Sequence, residues 1–250
     1  MLVDTHCHLD QIDPNDLKTS LSADCVYLSM GTDKNNWQQL LRLNEKYSNI
    51  RIALGIHPWF VSDHSVDDLH FLYSLLSQIK VHAIGEIGLD FGLNHKASRD
   101  LQLEVFEAQL KLAHELALPI SVHVYKAHNE VIALLKRYDV QGVIHSLGSS
   151  VNIAQQYVDL GFKFGVNGIL LRENARRYHA LVEHFDIRHI VSETDAPNIA
   201  LPGRSKGHLK DIVVIIERIA SLKKLTVAEA QRCLFNNANS VFKFIEECEV

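Results

Sequence analysis

Eight short apolar runs, each separated from the next by a longer amphipathic or polar stretch, set the limits on what this chain can fold into. The runs are read as strands at Leu2–Thr5, Cys25–Met30, Arg51–Gly55, Ala83–Ile87, Ile120–His123, Gly142–His145, Lys163–Gly165 and His189–Ser192. The segments between them carry apolar residues at the three- and four-residue steps of a helix. The clearest is "SRDLQLEVFEAQLKLAHELAL" (Ser98–Leu118), with Ser98 as its N-cap. "KNNWQQLLRLNEKY", "HNEVIALLKRYD" and "VNIAQQYVDLG" repeat the pattern, the last ending at Gly161 as a C′ glycine. Alternation of this kind predicts an α/β fold, and eight units in 250 residues point to a closed (β/α)8 TIM barrel rather than an open doubly wound sheet. No internal repeat, low-complexity tract or Pro/Ser-rich linker divides the chain, so residues 1–250 are expected to form a single domain.

In such a barrel the C-terminal ends of the strands carry the chemistry. Strand one ends in "DTHCHLD", with His6 and His8 two positions apart and so on one face, and Cys7 turned to the helices. Strand three ends in "GIHPW", with His57; strand four in "GEIGLD", with Glu86 and then Asp90. Strands five and six end in "SVHV" and "VIHS", with His123 and His145. Strand eight runs into "SETDAP", where Glu193 and Asp195 share parity. Any one of these is readily a satisfied core histidine, a cap or a turn residue; Asp90 reads as a loop cap or an arginine partner. Their joint occurrence at one rim is not surface scatter. A buried carboxylate such as Glu86 needs a cation beside it. Four imidazoles with two carboxylates suit borderline divalent ions, and six ligands exceed what one tetrahedral zinc uses. Two divalent metal ions, zinc, manganese or magnesium, are the expected cofactors.

The ordered set "DTHCHLD", "GIHPW", "GEIGLD", "SVH", "IHS" and "SETDAP" resembles the TatD family of metal-dependent hydrolases in the amidohydrolase superfamily, from Val3 to about Pro197, with an echo in "NNANSVFKF". The resemblance implies that His6, His8 and Asp195 bind one metal, Glu86 bridges both, and His123 and His145 bind the second. It also implies that His57 contacts substrate and that the activity is that of a DNase, often a 3′→5′ exonuclease. Two loops depart from the family pattern. "SLGSS" follows His145 where an "FSG" is common, and "APNIALPGRSKGHLKD" replaces the usual "PYLxP" segment. Both are expected to shape the substrate pocket. Asp195 is the candidate general base and later general acid. Arg204, Lys206 and His208 add charge near the site or simply solvate their loop.

Composition bounds the substrate. The net charge of −5 rules out a basic blanket for gripping nucleic acid, so a polyanion would have to be met by metal ions or a local cluster. This keeps a small-molecule ester, lactone or amide as the alternative to DNA or a small phosphodiester. Metals serving only structure are disfavoured, because structural zinc sites are usually closed and cysteine-rich. Cys7, Cys25, Cys233 and Cys248 form no CxxC pair, which fits free thiols in a reducing compartment. "MLVDTHCHLD" has no basic region followed by an apolar run, and no stretch approaches the roughly 18 apolar residues of a membrane span. The expectation is a cytoplasmic enzyme with neither signal peptide nor obligate protein partner.

Overall fold

The computed structural model describes residues 1–92 and 97–244, so Cys248 lies outside the described residues. In chain order the elements are β1 (Leu2–Cys7), α1 (Pro14–Ser20), β2 (Cys25–Met30), α2 (Lys34–Lys46), β3 (Ile50–Leu54), α3 (Ser65–Leu76), β4 (Ala83–Asp90), α4 (Arg99–Glu115) and β5 (Ile120–Tyr125). They continue as α5 (His128–Leu135), β6 (Gly142–Ile144), α6 (Val151–Asp159), β7 (Lys163–Val166), α7 (Arg176–His184), β8 (Ile190–Ser192), α8 (Asp211–Lys223) and α9 (Val227–Phe242). The strands form one parallel sheet in the order β1 to β8. The seam between β8 and β1 is joined largely by side chains. Thr5 Oγ1 donates to the Ser192 carbonyl at 3.1 Å, and Ser192 Oγ to that of Val3 at 2.9 Å. Just above, Asp195 N donates to His6 O and His8 N to Ala196 O, both at 2.8 Å. The result is the expected (β/α)8 barrel.

Alternation along the strands divides the core in two. In β2, Cys25 and Tyr27 pack outward with Trp37 and Leu40 of α2, while Val26, Leu28 and Met30 face the lumen. Val3, Ala53, Ala83, Val143 and Val191 join these lumen residues, and Ala238, Val241 and Phe242 of α9 pack against the same cluster and close the barrel floor. The helix ends read from the sequence hold: Ser98 caps the start of α4, accepting from Leu101 N, and Gly161 takes φ +85° after the end of α6.

Strand lengths differ from the sequence reading. β4 runs on to Asp90 rather than stopping at Ile87, paired with β5 as far as Asp90 against Tyr125. Gly88 allows that close pairing: its φ is +144°, and a Cβ there would collide with the His123 backbone. β6 and β8 are three residues each, leaving His145 and Glu193 just beyond their ends.

Candidate metal centre

Simple alternation carries Ser121 to His123 in β5, Val143 to His145 beyond β6, and Val191 to Glu193 and Asp195 beyond β8, all toward the lumen. It fails in the other two strands. Pairing slips between Asp4 and Cys7 in β1, and between Ile84 and Ile87 in β4. Counting in twos from Val3 and Ala83 would turn His6 and Glu86 away from the lumen; the bulges turn them in.

The six residues read as metal ligands meet at the top of the lumen, with His57 beside them. Glu86 sits between two groups of imidazoles. Its Oε2 is 3.3 Å from His6 Nε2 and 3.6 Å from His8 Nε2, and its Oε1 is 3.4 Å from His57 Nε2 and 3.2 Å from His123 Nδ1. Asp195 divides likewise, Oδ1 lying 3.3 Å from His8 Nε2 and Oδ2 3.5 Å from His145 Nε2. The rings of His6 and His145 stack at 3.5 Å. The groups His6–His8–Glu86 and His57–Glu86–His123 each bring three potential ligand atoms within 4.8 Å of one another.

This set fits a cation. His6 Nε2 is buried without a hydrogen-bond partner and faces a carboxylate oxygen. Three imidazoles are steered from behind, leaving the other nitrogen aimed at the centre. Ser121 Oγ is 3.2 Å from His6 Nδ1, Glu193 Oε1 is 3.0 Å from His145 Nδ1, and Asp90 Oδ2 is 3.0 Å from His123 Nε2. Glu193 is itself held by Ser146 N at 2.8 Å and Asn167 Nδ2 at 3.3 Å. A Cβ on Gly165 would occupy the space of the Glu193 carboxylate. Asp90 also accepts from Trp59 Nε1 at 2.7 Å and, as the loop-cap reading expects, from Gly92 N at 2.8 Å.

His57 differs from the rest. Trp59 N donates to its Nδ1 at 3.1 Å, and burial pushes its pKa down to about 4, so the neutral ring carries its proton on Nε2, the atom facing Glu86. That nitrogen is a donor rather than a lone pair. Burial alone would raise the Glu86 carboxyl, but His57 and His6 outweigh it and hold the group well below the usual range. His145 and His8 do the same for Asp195 against its burial. In return, and against burial, His145 is raised well above the ordinary imidazole value, chiefly by Glu193 and Asp195.

The centre opens into a cavity of about 900 Å³. Its wall includes Trp59, Tyr125, Lys126, His128, Arg177 and Tyr178, none of which stood out in the sequence as a site residue. Arg204, Lys206 and His208 are absent from that wall; Arg204 pairs with Asp211 at the start of α8. The chain turns sharply at this rim, with Lys126, Ser146 and Asp195 in the left-handed region at φ +54°, +48° and +52°.

Residues 3–243 match the family described as TatD related DNase. An uncharacterized metal-dependent hydrolase of Escherichia coli K12, YjjV, is 32% identical over 96% of this chain and 97% of its own length. An uncharacterized metal-dependent hydrolase of Bacillus subtilis strain 168, YabD, is 30% identical over 97% of this chain and 99% of its own length. The crystal structure of YjjV, a TatD homologue, superposes with a TM-score of 0.90 at 29% identity, covering 97% of this chain and 98% of that one.

Proposed function

This chain belongs to the TatD-related DNase family of metal-dependent hydrolases, and on that premise we propose that it cleaves phosphodiesters as a 3′→5′ deoxyribonuclease. The observation that carries this reading is the placement of Glu86, one carboxylate oxygen toward His6 and His8 and the other toward His57 and His123. In this reading His6, His8 and Asp195 would hold one divalent ion, His123 and His145 would hold a second, and Glu86 would serve both. Bound divalent ions supply a water that ionises near neutral pH and offset the charge developing on the phosphoryl oxygen.

The chain's own residues do the rest. Asp195 Oδ1 and Oδ2 face both halves of the centre, so its carboxylate accepts the proton of the attacking water. The water oxygen joins phosphorus, the bond to the sugar 3′-oxygen breaks, and Asp195 returns the proton to that oxygen. His57 Nε2–H donates to a non-bridging oxygen of the scissile phosphate. The free thiols of Cys7, Cys25 and Cys233 fit the cytoplasm as the place of work.

No helix is long and apolar enough, among the described residues, to cross a membrane. The acidic net charge favours one rival, hydrolysis of a small ester, lactone or amide at the same centre. Turnover of single-stranded DNA and bis-p-nitrophenyl phosphate with Mn²⁺, Mg²⁺ or Zn²⁺, abolished by chelator, is the expected result. Turnover of lactones or esters with none of phosphodiesters would replace the nuclease reading by its rival.

A further inference from the structure

Beyond the metal centre the cavity wall departs from the rest of the molecule in charge. The chain has 30 acidic and 25 Lys/Arg residues. Of the described residues lining the cavity, however, the acidic ones are Glu86 and Asp195, both at the centre itself. The remaining wall holds Lys126, His128 and Arg177. They come from the residue just after β5, the first residue of α5 and the first turn of α7. Lys126 and Arg177 form no ion pair among the described residues, whereas Arg137, Arg188 and Arg204 each meet a carboxylate.

Their positions are held by neutral contacts. Arg177 Nη1 is 3.4 Å from the Gly148 carbonyl, and the Lys126 ammonium lies 5.3 Å from the Tyr125 ring centroid. His128 Nδ1 is 3.1 Å from Tyr157 Oη, which leaves Nε2 for a ligand. A second feature shares this mouth: Tyr125, 50% exposed, is a large ring on the cavity wall. Unpaired cations beside an exposed aromatic ring are what a nucleotide requires: phosphate on the cations, base on the ring.

We infer that Lys126, His128 and Arg177 form a second anion subsite, which binds the phosphate adjacent to the scissile one while Tyr125 stacks a base. The preferred substrate is therefore a short oligonucleotide with at least two phosphates. This rests on the phosphodiesterase reading above, and the test separates the two.

The test compares kcat and KM for the dinucleotide dTpdT and its 5′-phosphorylated form pdTpdT, with bis-p-nitrophenyl phosphate as a one-phosphate reference. The wild type is expected to favour pdTpdT on the order of tenfold in kcat/KM, mostly through KM. K126A/R177A should erase that preference, and the charge-keeping K126R/R177K should restore it. A wild type that hydrolyses all three substrates without preference, or a K126A/R177A protein that keeps the preference, overturns the subsite and leaves the phosphodiesterase reading standing. Failure of the wild type on all three overturns both.

Discussion

The floor and the rim of the barrel use inward positions of the same strands and fill them with opposite chemistry. At the floor Val3, Leu28, Ala83, Val143 and Val191 pack against α9. Two residues further along, Val143 gives way to His145 and Val191 to Glu193. The floor is apolar and fully packed. The rim crowds imidazoles against carboxylates, stacks His6 on His145 and leaves His6 Nε2 without a hydrogen bond. Buried polar groups in that state destabilise a fold. The floor thus supplies the burial that holds the barrel together, and the rim is kept for chemistry at some loss of stability.

The comparison breaks first on activity. Asp195→Asn, which keeps the shape and removes the proton acceptor, is expected to lower kcat by about 10²–10⁴-fold with an unchanged circular dichroism spectrum. Near-normal turnover would remove Asp195 from proton transfer. Leu28→Ala tests the other half: a fully buried floor residue, its loss should cost about 2–5 kcal/mol in denaturant unfolding. Metal content and kcat per folded molecule should stay at wild-type values. A loss of metal on that change would mean that floor and rim are not separable.

Part of this division is legible in the sequence. Histidines and acids at the ends of apolar runs mark the rim, and the run lengths mark the barrel. The two bulges are not legible, because a slip in β1 or β4 depends on the neighbouring strand and leaves no signature in composition. Nor is the support behind the imidazoles. Ser121 looks like an ordinary strand serine, and Glu193 like a spare ligand of the right parity, until β6 and β7 bring His145 and Gly165 beside it. Charge is no clearer: Arg204, Lys206 and His208 read either as charge near the site or as a solvated loop, and in the fold the Arg204 guanidinium is taken by Asp211, while the cations of the cavity are Lys126 and Arg177. The support can be measured. Glu193→Gln keeps the size of the side chain but removes the charge facing His145 Nδ1, and metal affinity should fall about 10–100-fold with little change in thermal midpoint of the chelated protein. Equal affinity would make Glu193 a packing residue.

The most continuous effect is on pH. In the metal-free rim, burial lowers the pKa of His8 and His145, but Asp195 outweighs it at His8, as Glu193 and Asp195 do at His145, and both end above the ordinary imidazole value near 6.5. Raised folded values mean that their protonation stabilises the metal-free fold fully below about 6.5, and that this contribution is lost as pH rises through the folded values. A cation needs those same nitrogens unprotonated, so its binding must release protons. Metal affinity, from competition with a chelator of known pH dependence, should therefore strengthen by up to about tenfold per pH unit for each proton displaced. Thermal stability of the chelated protein should drift downward over the same range. The floor has no titrating group in its apolar cluster, so Leu28→Ala should shift the stability curve without changing its slope. A metal affinity flat between pH 6 and 8 would separate these imidazoles from the metal altogether.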